Sequence, residues 1–341
     1  MWRRDPVRLR GQEPDGGAEH GLECILDRAV EFGASDVHLQ PIAGGVRVRY
    51  RVDGELRDGW VIAERAWPPL LGRLKLLAGL DLLDGLRPQD GVLSYPGRNW
   101  RLALLSSVQG ERVTLRFQAD LPSRGLEGLG LEAEVVAGLR FLLEGTGLLA
   151  ITGPASSGKT TTLYTCLTEL VAAGKSAVSV EDPVEHFLPG VTQVQVRARA
   201  GFGFLTAMKA ALRHDPQVLA VGEVRDEEST RAVVRTALGG HLVLCTLHAG
   251  GAEAALERLV EMGASRRQLA SALCGILEQR LVRKACSRCR GTGGDCPNCD
   301  GRGWQGRRAL ARLVPTSPGI RKALVGRPPF REGGDAGYEE E

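Results

Sequence analysis

Residues 153–164 read Gly-Pro-Ala-Ser-Ser-Gly-Lys-Thr-Thr-Thr-Leu-Tyr, a G-x-x-x-x-G-K-T loop entered directly from the apolar run Leu148-Leu149-Ala150-Ile151-Thr152. No other stretch constrains the fold as tightly, because a buried strand, a glycine turn and a helix start must then follow in that order. In such a loop Gly153 and Gly158 let backbone N–H groups turn inward around a β-phosphate, with Pro154, Ala155, Ser156 and Ser157 forming the bend between them. Lys159 reaches the β/γ oxygens, Thr160 offers its hydroxyl to Mg²⁺, and Thr161 follows in the same turn. A helix is predicted over about 160–173, its positive end facing the phosphates.

The 341 residues, 43% hydrophobic, predict two or three domains with ample core. The 44 basic and 41 acidic residues leave a net charge of +3, too balanced to imply a membrane surface and mildly against nucleic acid. No apolar core follows Met1-Trp2-Arg3-Arg4-Asp5-Pro6, and no run approaches the roughly 18–20 apolar residues of a membrane span, so a soluble, cytoplasmic chain is expected. Of eight cysteines, Cys24, Cys166, Cys245 and Cys274 are scattered, whereas Cys286-x-x-Cys289 and Cys296-x-x-Cys299 form two knuckles. Four thiolates satisfy tetrahedral Zn²⁺ and leave no open position, which predicts a structural site; a redox function needs only one C-x-x-C.

The Gly-, Pro- and charge-rich residues 1–20 read as a disordered arm. Apolar spacing at Leu22, Ile25, Leu26, Ala29 and Val30 predicts a helix over 22–32. Val46, Val48, Tyr50 and Val52 alternate with Arg47, Arg49, Arg51 and Asp53 in a half-exposed strand that ends on the Asp53-Gly54 turn signal. A helix over 70–83 and strands over 98–105 and 112–117 complete a small α+β domain, residues 21–120, with a linker at 121–131. Residues 132–284 alternate β-branched runs (176–181, 218–222, 241–247) with helical patterns (204–212, 226–238, 252–262, 267–281), which predicts a mainly parallel α/β sheet. The cysteine module occupies 285–315 and a Pro-, Gly- and Glu-rich tail 316–341.

Strand ends in such a sheet face the ligand crevice. Val218-Leu219-Ala220-Val221-Gly222 closes on Glu223, a carboxylate able to orient attacking water. The metal-proximal Asp usual near this position is absent, so Mg²⁺ must rely on Thr160, phosphate oxygens and water, with Glu223 acting through the ion's water. Glu181-Asp182-Pro183-Val184-Glu185-His186 gathers three acids that need a cation or basic partner nearby. His241 and His248 flank the run Leu242-Val243-Leu244-Cys245-Thr246-Leu247, and His248 is the better placed to sense a γ-phosphate.

The ordered blocks GPASSGKTTTLY, SVEDPVEHFLPGVTQVQV, LRHDPQVLAVGEVRDEE, GGHLVLCTLH and LEQRLVRKACSRC resemble the type II secretion and type IV pilus assembly ATPases across about residues 22–315. The resemblance implies that these are the Walker A motif, acidic Asp box, Walker B motif and His box of a RecA-like domain in a hexameric ring. Ala34-Ser35-Asp36-Val37-His38-Leu39 and Val48-Arg49-Tyr50-Arg51-Val52-Asp53-Gly54 are similar to that family's PAS-like domain. It further implies Mg-ATP hydrolysis with Glu185 and Glu223 as catalytic carboxylates, and trans-acting arginines drawn from Arg49, Arg51, Arg112, Arg116 and Arg213. The cysteine module resembles assembly members rather than retraction relatives.

Such a chain is expected to power type II secretion or pilus or pseudopilus assembly, peripherally at an inner-membrane platform protein. Some features depart from the family: Ala155-Ser156-Ser157 replaces Thr-Gly-Ser, Leu104 stands where an arginine is expected, and Ala249-Gly250-Gly251 follows His248. No room is expected for the further N-terminal domain of many relatives. These departures keep open a nucleotide-gated assembly subunit with little turnover, and a RecA-class nucleic-acid motor is a third reading.

Overall fold

The computed structural model describes residues 18–95, 98–118, 125–197, 201–299 and 301–326, so residues 1–17 of the expected arm, 121–124 of the linker and 327–341 of the tail lie outside the described residues. The chain divides into two units, one formed by residues 1–120 with 283–307 and the other by 121–282 with 308–341.

In the first unit, α1 (Ala18–Glu31) precedes β1 (Asp36–Ile42), β2 (Gly45–Val52) and β3 (Glu55–Ala63); α2 (Trp67–Leu77) then leads to β4 (Gln89–Tyr95), β5 (Arg98–Ser107) and β6 (Gly110–Gln118). The strands form a six-stranded sheet in the order β3-β2-β1-β6-β5-β4, and every pairing is antiparallel. One face is apolar and one polar, as alternation demands. Val46, Val48, Tyr50 and Val52 are buried with Trp100, Leu102 and Leu115 beneath α1 and α2, while the arginines of β2 point away from this core. The expected helix over 70–83 stops at Leu77. Gly79, at φ +67°, takes the left-handed conformation that ends helices, and the carboxylates of Asp81 and Asp84 then accept from the backbone N–H groups of Leu83, Leu86 and Arg87.

The second unit contains α3 (Ala133–Glu144), β7 (Gly147–Thr152), α4 (Lys159–Ala172), β8 (Ala177–Glu181), β9 (Val191–Gln195), α5 (Phe204–Leu212), β10 (Val218–Val221), α6 (Glu227–Leu238), β11 (Leu242–Leu247), α7 (Ala252–Glu261) and α8 (Arg266–Ala272). After them come β12 (Leu273–Ala285), β13 (Trp304–Pro315) and α9 (Pro318–Gly326); the ends of β12 and β13 nearest the cysteines belong to the first unit. The sheet order is β13-β12-β7-β11-β10-β8-β9, with parallel pairing from β12 through β9, the mainly parallel sheet expected. β7, β8, β10 and β11 are buried along their whole length because helices cover both faces. Leu139, Leu163 and Leu167 of α3 and α4 fill one side; Met208, Val233, Leu259 and Leu269 of α5 to α8 fill the other.

One element differs in type. The helix expected over 267–281 ends at Ala272, and Leu273 onward runs as β12 parallel to β7, with Leu273 opposite Leu148 and Glu278 opposite Thr152. Burial of Leu273, Ile276 and Leu277 on the sheet outweighs the helical propensity of Leu-Glu-Gln-Arg. Among the described residues no helix is long and apolar enough to cross a membrane.

Candidate functional site

The G-x-x-x-x-G-K-T residues bridge the C-terminal end of β7 and the first turn of α4. Gly158 is the N-cap at φ +88° and Ser156 also sits in the left-handed region at φ +57°. A Cβ at Gly153 would lie 2.1 Å from the carbonyl oxygen of Gln279, so that position has no room for a side chain. Lys159 Nζ donates to the carbonyls of Gly153 and Pro154, each at 2.8 Å, closing the loop on itself. Burial pushes the Lys159 ammonium below its ordinary pKa, while the charge of Glu223 opposes that shift. The hydroxyl of Ser157 is buried with no hydrogen-bond partner among the described residues. A phosphate oxygen is the partner such a loop is built to receive. Thr160 and Thr161 are half-buried in the first turn of α4.

Glu223 follows the end of β10, and His248 follows the end of β11, the strand between β10 and β7. His248 Nε2 lies 3.4 Å from Glu223 Oε1, and Arg225 Nη2 donates to Glu223 Oε2 at 2.5 Å. Thr246 Oγ1, donating to Gly222 O at 2.5 Å, ties the two strand ends together. The loop lysine, the strand-end acid and the histidine therefore lie at adjacent parallel strand ends, the crevice position for ligands in open α/β sheets.

The acidic loop divides into buried and exposed carboxylates. Glu181 is 2% exposed and accepts from Tyr164 Oη, from Ser179 Oγ at 2.5 Å and from Gln193 Nε2 at 3.1 Å. Tyr164 Oη also accepts from the backbone N–H of Glu185 at 3.0 Å. Asp182 and the Glu185 side chain are exposed. Sequence reading found the acids but missed that Tyr164, one turn into α4, anchors this loop from below.

Arg49, Arg51, Arg112 and Arg116 belong to the first unit, and Arg213 to the second, exposed at the C-cap of α5. Asp36, 3% exposed, gathers Arg116 at 2.8 Å and Arg51 at 3.6 Å, while Arg49 Nη2 donates to Gln40 Oε1 at 2.6 Å. Arg112, half-buried on β6, acts electrostatically on His38. Leu104, where an arginine was expected, is 2% exposed in the core; Arg101, Ala103 and Leu105 take the outward positions of that strand.

All four clustered sulfurs lie within 4.8 Å of one another, with Cys286–Cys296 at 3.9 Å and Cys289–Cys299 at 3.6 Å. Tetrahedral ligation at about 2.3 Å requires sulfurs about 3.8 Å apart, so the set fits Zn²⁺. Asn298 Nδ2 donates to Cys286 Sγ at 3.3 Å and helps lower that thiol to about 6, while the Gly303 N–H donates to Cys299 Sγ at 3.2 Å. Within the same unit Asp53 accepts from Arg302 at 3.3 Å and from the Gly306 N–H at 3.1 Å, and Arg283 pairs with Glu55 at 2.8 Å.

A family model described as Type II/IV secretion system protein matches residues 12–328. The chain is 41% identical over 315 residues to the type II secretion system protein HxcR of Pseudomonas aeruginosa, covering 89% of this chain and 67% of that protein. It is 33% identical over 344 residues to the type IV pilus assembly ATPase PilB of Thermus thermophilus, covering 91% of this chain but 38% of that protein. Among solved structures, the pilus retraction motor PilT with bound ADP superposes with a TM-score of 0.61 at 26% identity, over 88% of this chain and 84% of that one.

Proposed function

The chain is an ATPase of the type II/IV secretion system protein family, and from that premise we propose that it works as a homohexameric Mg-ATP motor for type II secretion or for pilus or pseudopilus assembly. The observation carrying this reading is the Glu223–His248 pair, 3.4 Å apart at the strand end one position over from the loop that holds Lys159. Residues Gly153 to Thr161 receive the triphosphate. Lys159 leaves the carbonyls of Gly153 and Pro154 for the β/γ oxygens, and Thr160 meets Mg²⁺. Glu223 orients the attacking water, His248 reads the γ-phosphate through its link to Glu223, and Glu185 contributes from the acidic loop. Arginines from Arg49, Arg51, Arg112, Arg116 and Arg213 balance charge on the transferring phosphoryl group across the ring.

Mg²⁺, when bound, supplies Lewis-acid stabilisation of phosphate charge. Zn²⁺ in Cys286, Cys289, Cys296 and Cys299 has a structural role, its four thiolates leaving no catalytic position. The motor acts in the cytoplasm at an inner-membrane platform protein, without nucleic acid. Replacing Glu223 by Gln is expected to lower steady-state Mg-ATP turnover by at least about 100-fold while a fluorescent ATP analogue still binds. Equal, negligible turnover by the parent and by Glu223→Gln, both as hexamers, would sink the motor in favour of a nucleotide-gated assembly subunit.

A further inference from the structure

Gln279 lies on β12, 122 positions from Ser157 in sequence, yet its 5% exposed side chain is spent on the phosphate loop. Its Nε2 donates to the Ser157 carbonyl at 2.8 Å, and its Oε1 accepts from Thr162 Oγ1 at 2.7 Å. Its carbonyl oxygen closes the space where a Cβ at Gly153 would stand, and its Nε2 lies 2.7 Å from the Cβ position of Gly158. One residue therefore touches both ends of the loop and the first turn of the helix that follows.

We propose that Gln279 is a positioning residue that sets the curvature of the loop for the β-phosphate, an inference that rests on the nucleotide reading above. A trans peptide points its C=O and N–H in opposite directions. Drawing the Ser157 carbonyl toward β12 therefore aims the Gly158 N–H to the other side, into the hollow of the loop. The bond from Thr162 fixes the first turn of α4 to the same amide, so the loop and the helix dipole behind it keep one mutual orientation. Lys159 ties the carbonyls of Gly153 and Pro154, Ser156 holds a left-handed conformation that costs a non-glycine residue energy, and Gln279 adds the bond at Ser157 O. Gln279 touches no reacting atom; it acts through the backbone amides of the loop.

The test uses the full-length chain and Mg²⁺ with fluorescent ADP and AMP, at a temperature well below every thermal midpoint. Gln279→Met removes both hydrogen bonds at similar volume. Gln279→Glu keeps the acceptor for Thr162 but turns a carboxylate oxygen toward Ser157 O. Thr162→Val breaks only the helix bond and keeps a side chain of the same shape. Both Gln279 variants are expected to weaken ADP binding about tenfold and Thr162→Val about threefold. AMP, which has no β-phosphate to cradle, is expected to lose less than about twofold in each. ADP affinities within twofold of the parent, or equal losses for ADP and AMP, overturn the assignment. A parent chain that fails to bind ADP overturns the nucleotide reading itself and this inference with it.

Discussion

Gly158→Ala tests how far the phosphate loop depends on a left-handed glycine. Gly158 sits at φ +88°, and the added methyl would stand 2.7 Å from Gln279 Nε2, its one close neighbour. Holding an L residue in the left-handed region costs about 1–2 kcal/mol. Backing Gln279 away forfeits the bond to Ser157 O, worth about 0.5–1.5 kcal/mol net. The total is roughly 1.5–3.5 kcal/mol, and in a unit of this size each kcal/mol moves the midpoint by about 2–4 °C. The midpoint of a thermal melt followed by far-ultraviolet circular dichroism should therefore fall by roughly 3–14 °C. Ser156→Gly is the control: Ser156 is exposed at φ +57°, so glycine there relieves strain without disturbing Gln279 and should be neutral or stabilise by less than about 1 kcal/mol. A Gly158→Ala midpoint within about 1 °C of the parent, or a Ser156→Gly loss of equal size, refutes the reasoning.

Purified chain is expected to carry one zinc per chain by atomic emission, and Cys299→Ser to lose it with a shift in tryptophan emission, since Trp304 stacks 4.5 Å beneath Arg283 beside the module; metal-free parent protein refutes the site. His38 gives a pH dependence whose sign follows from its burial, which lowers its pKa below 6.5. Between the lowered value and 6.5 the unfolded chain binds more protons, so stability rises with pH there and is lost as pH falls. Urea midpoints of the first unit, read by tryptophan emission, should drop on going from about pH 7 to pH 5, and His38→Gln should flatten the slope; an unchanged slope removes His38 as the cause.

Local signals in the sequence were reliable where one short segment does the whole task. The phosphate loop, the acid after 218–222 and the paired cysteines each stand out within a short stretch of chain, and the structure brings Glu223 beside His248 and the four sulfurs together. The mainly parallel sheet was legible for the same reason, because each buried strand is flanked by its own helix. Contacts between remote segments left no such trace. Residues 273–285 carry good helix formers, and only pairing with β7 makes them a strand, so the role of Gln279 vanished with the wrong element. Tyr164 reads as an ordinary apolar helix position until Glu181 is seen to receive its hydroxyl. Helix α2 was drawn too long because Leu80, Leu82 and Leu83 continue its apolar rhythm past Gly79, whose backbone, not its composition, stops the helix.

The first unit is stitched from two pieces of chain, residues 1–120 and 283–307, with Asp53 and Glu55 meeting Arg302, Gly306 and Arg283. On the ribosome those pieces are far apart in time. After residue 120 a further 187 residues must be made before the second piece is complete, which at about 5–20 residues per second takes roughly 10–40 s. During that wait the hairpin between β2 and β3 presents two carboxylates to water rather than an apolar patch, so the half-built unit has a soluble tip. The four cysteines of the proposed zinc site emerge in the same late segment, so that site can take up metal only once the second piece has been made.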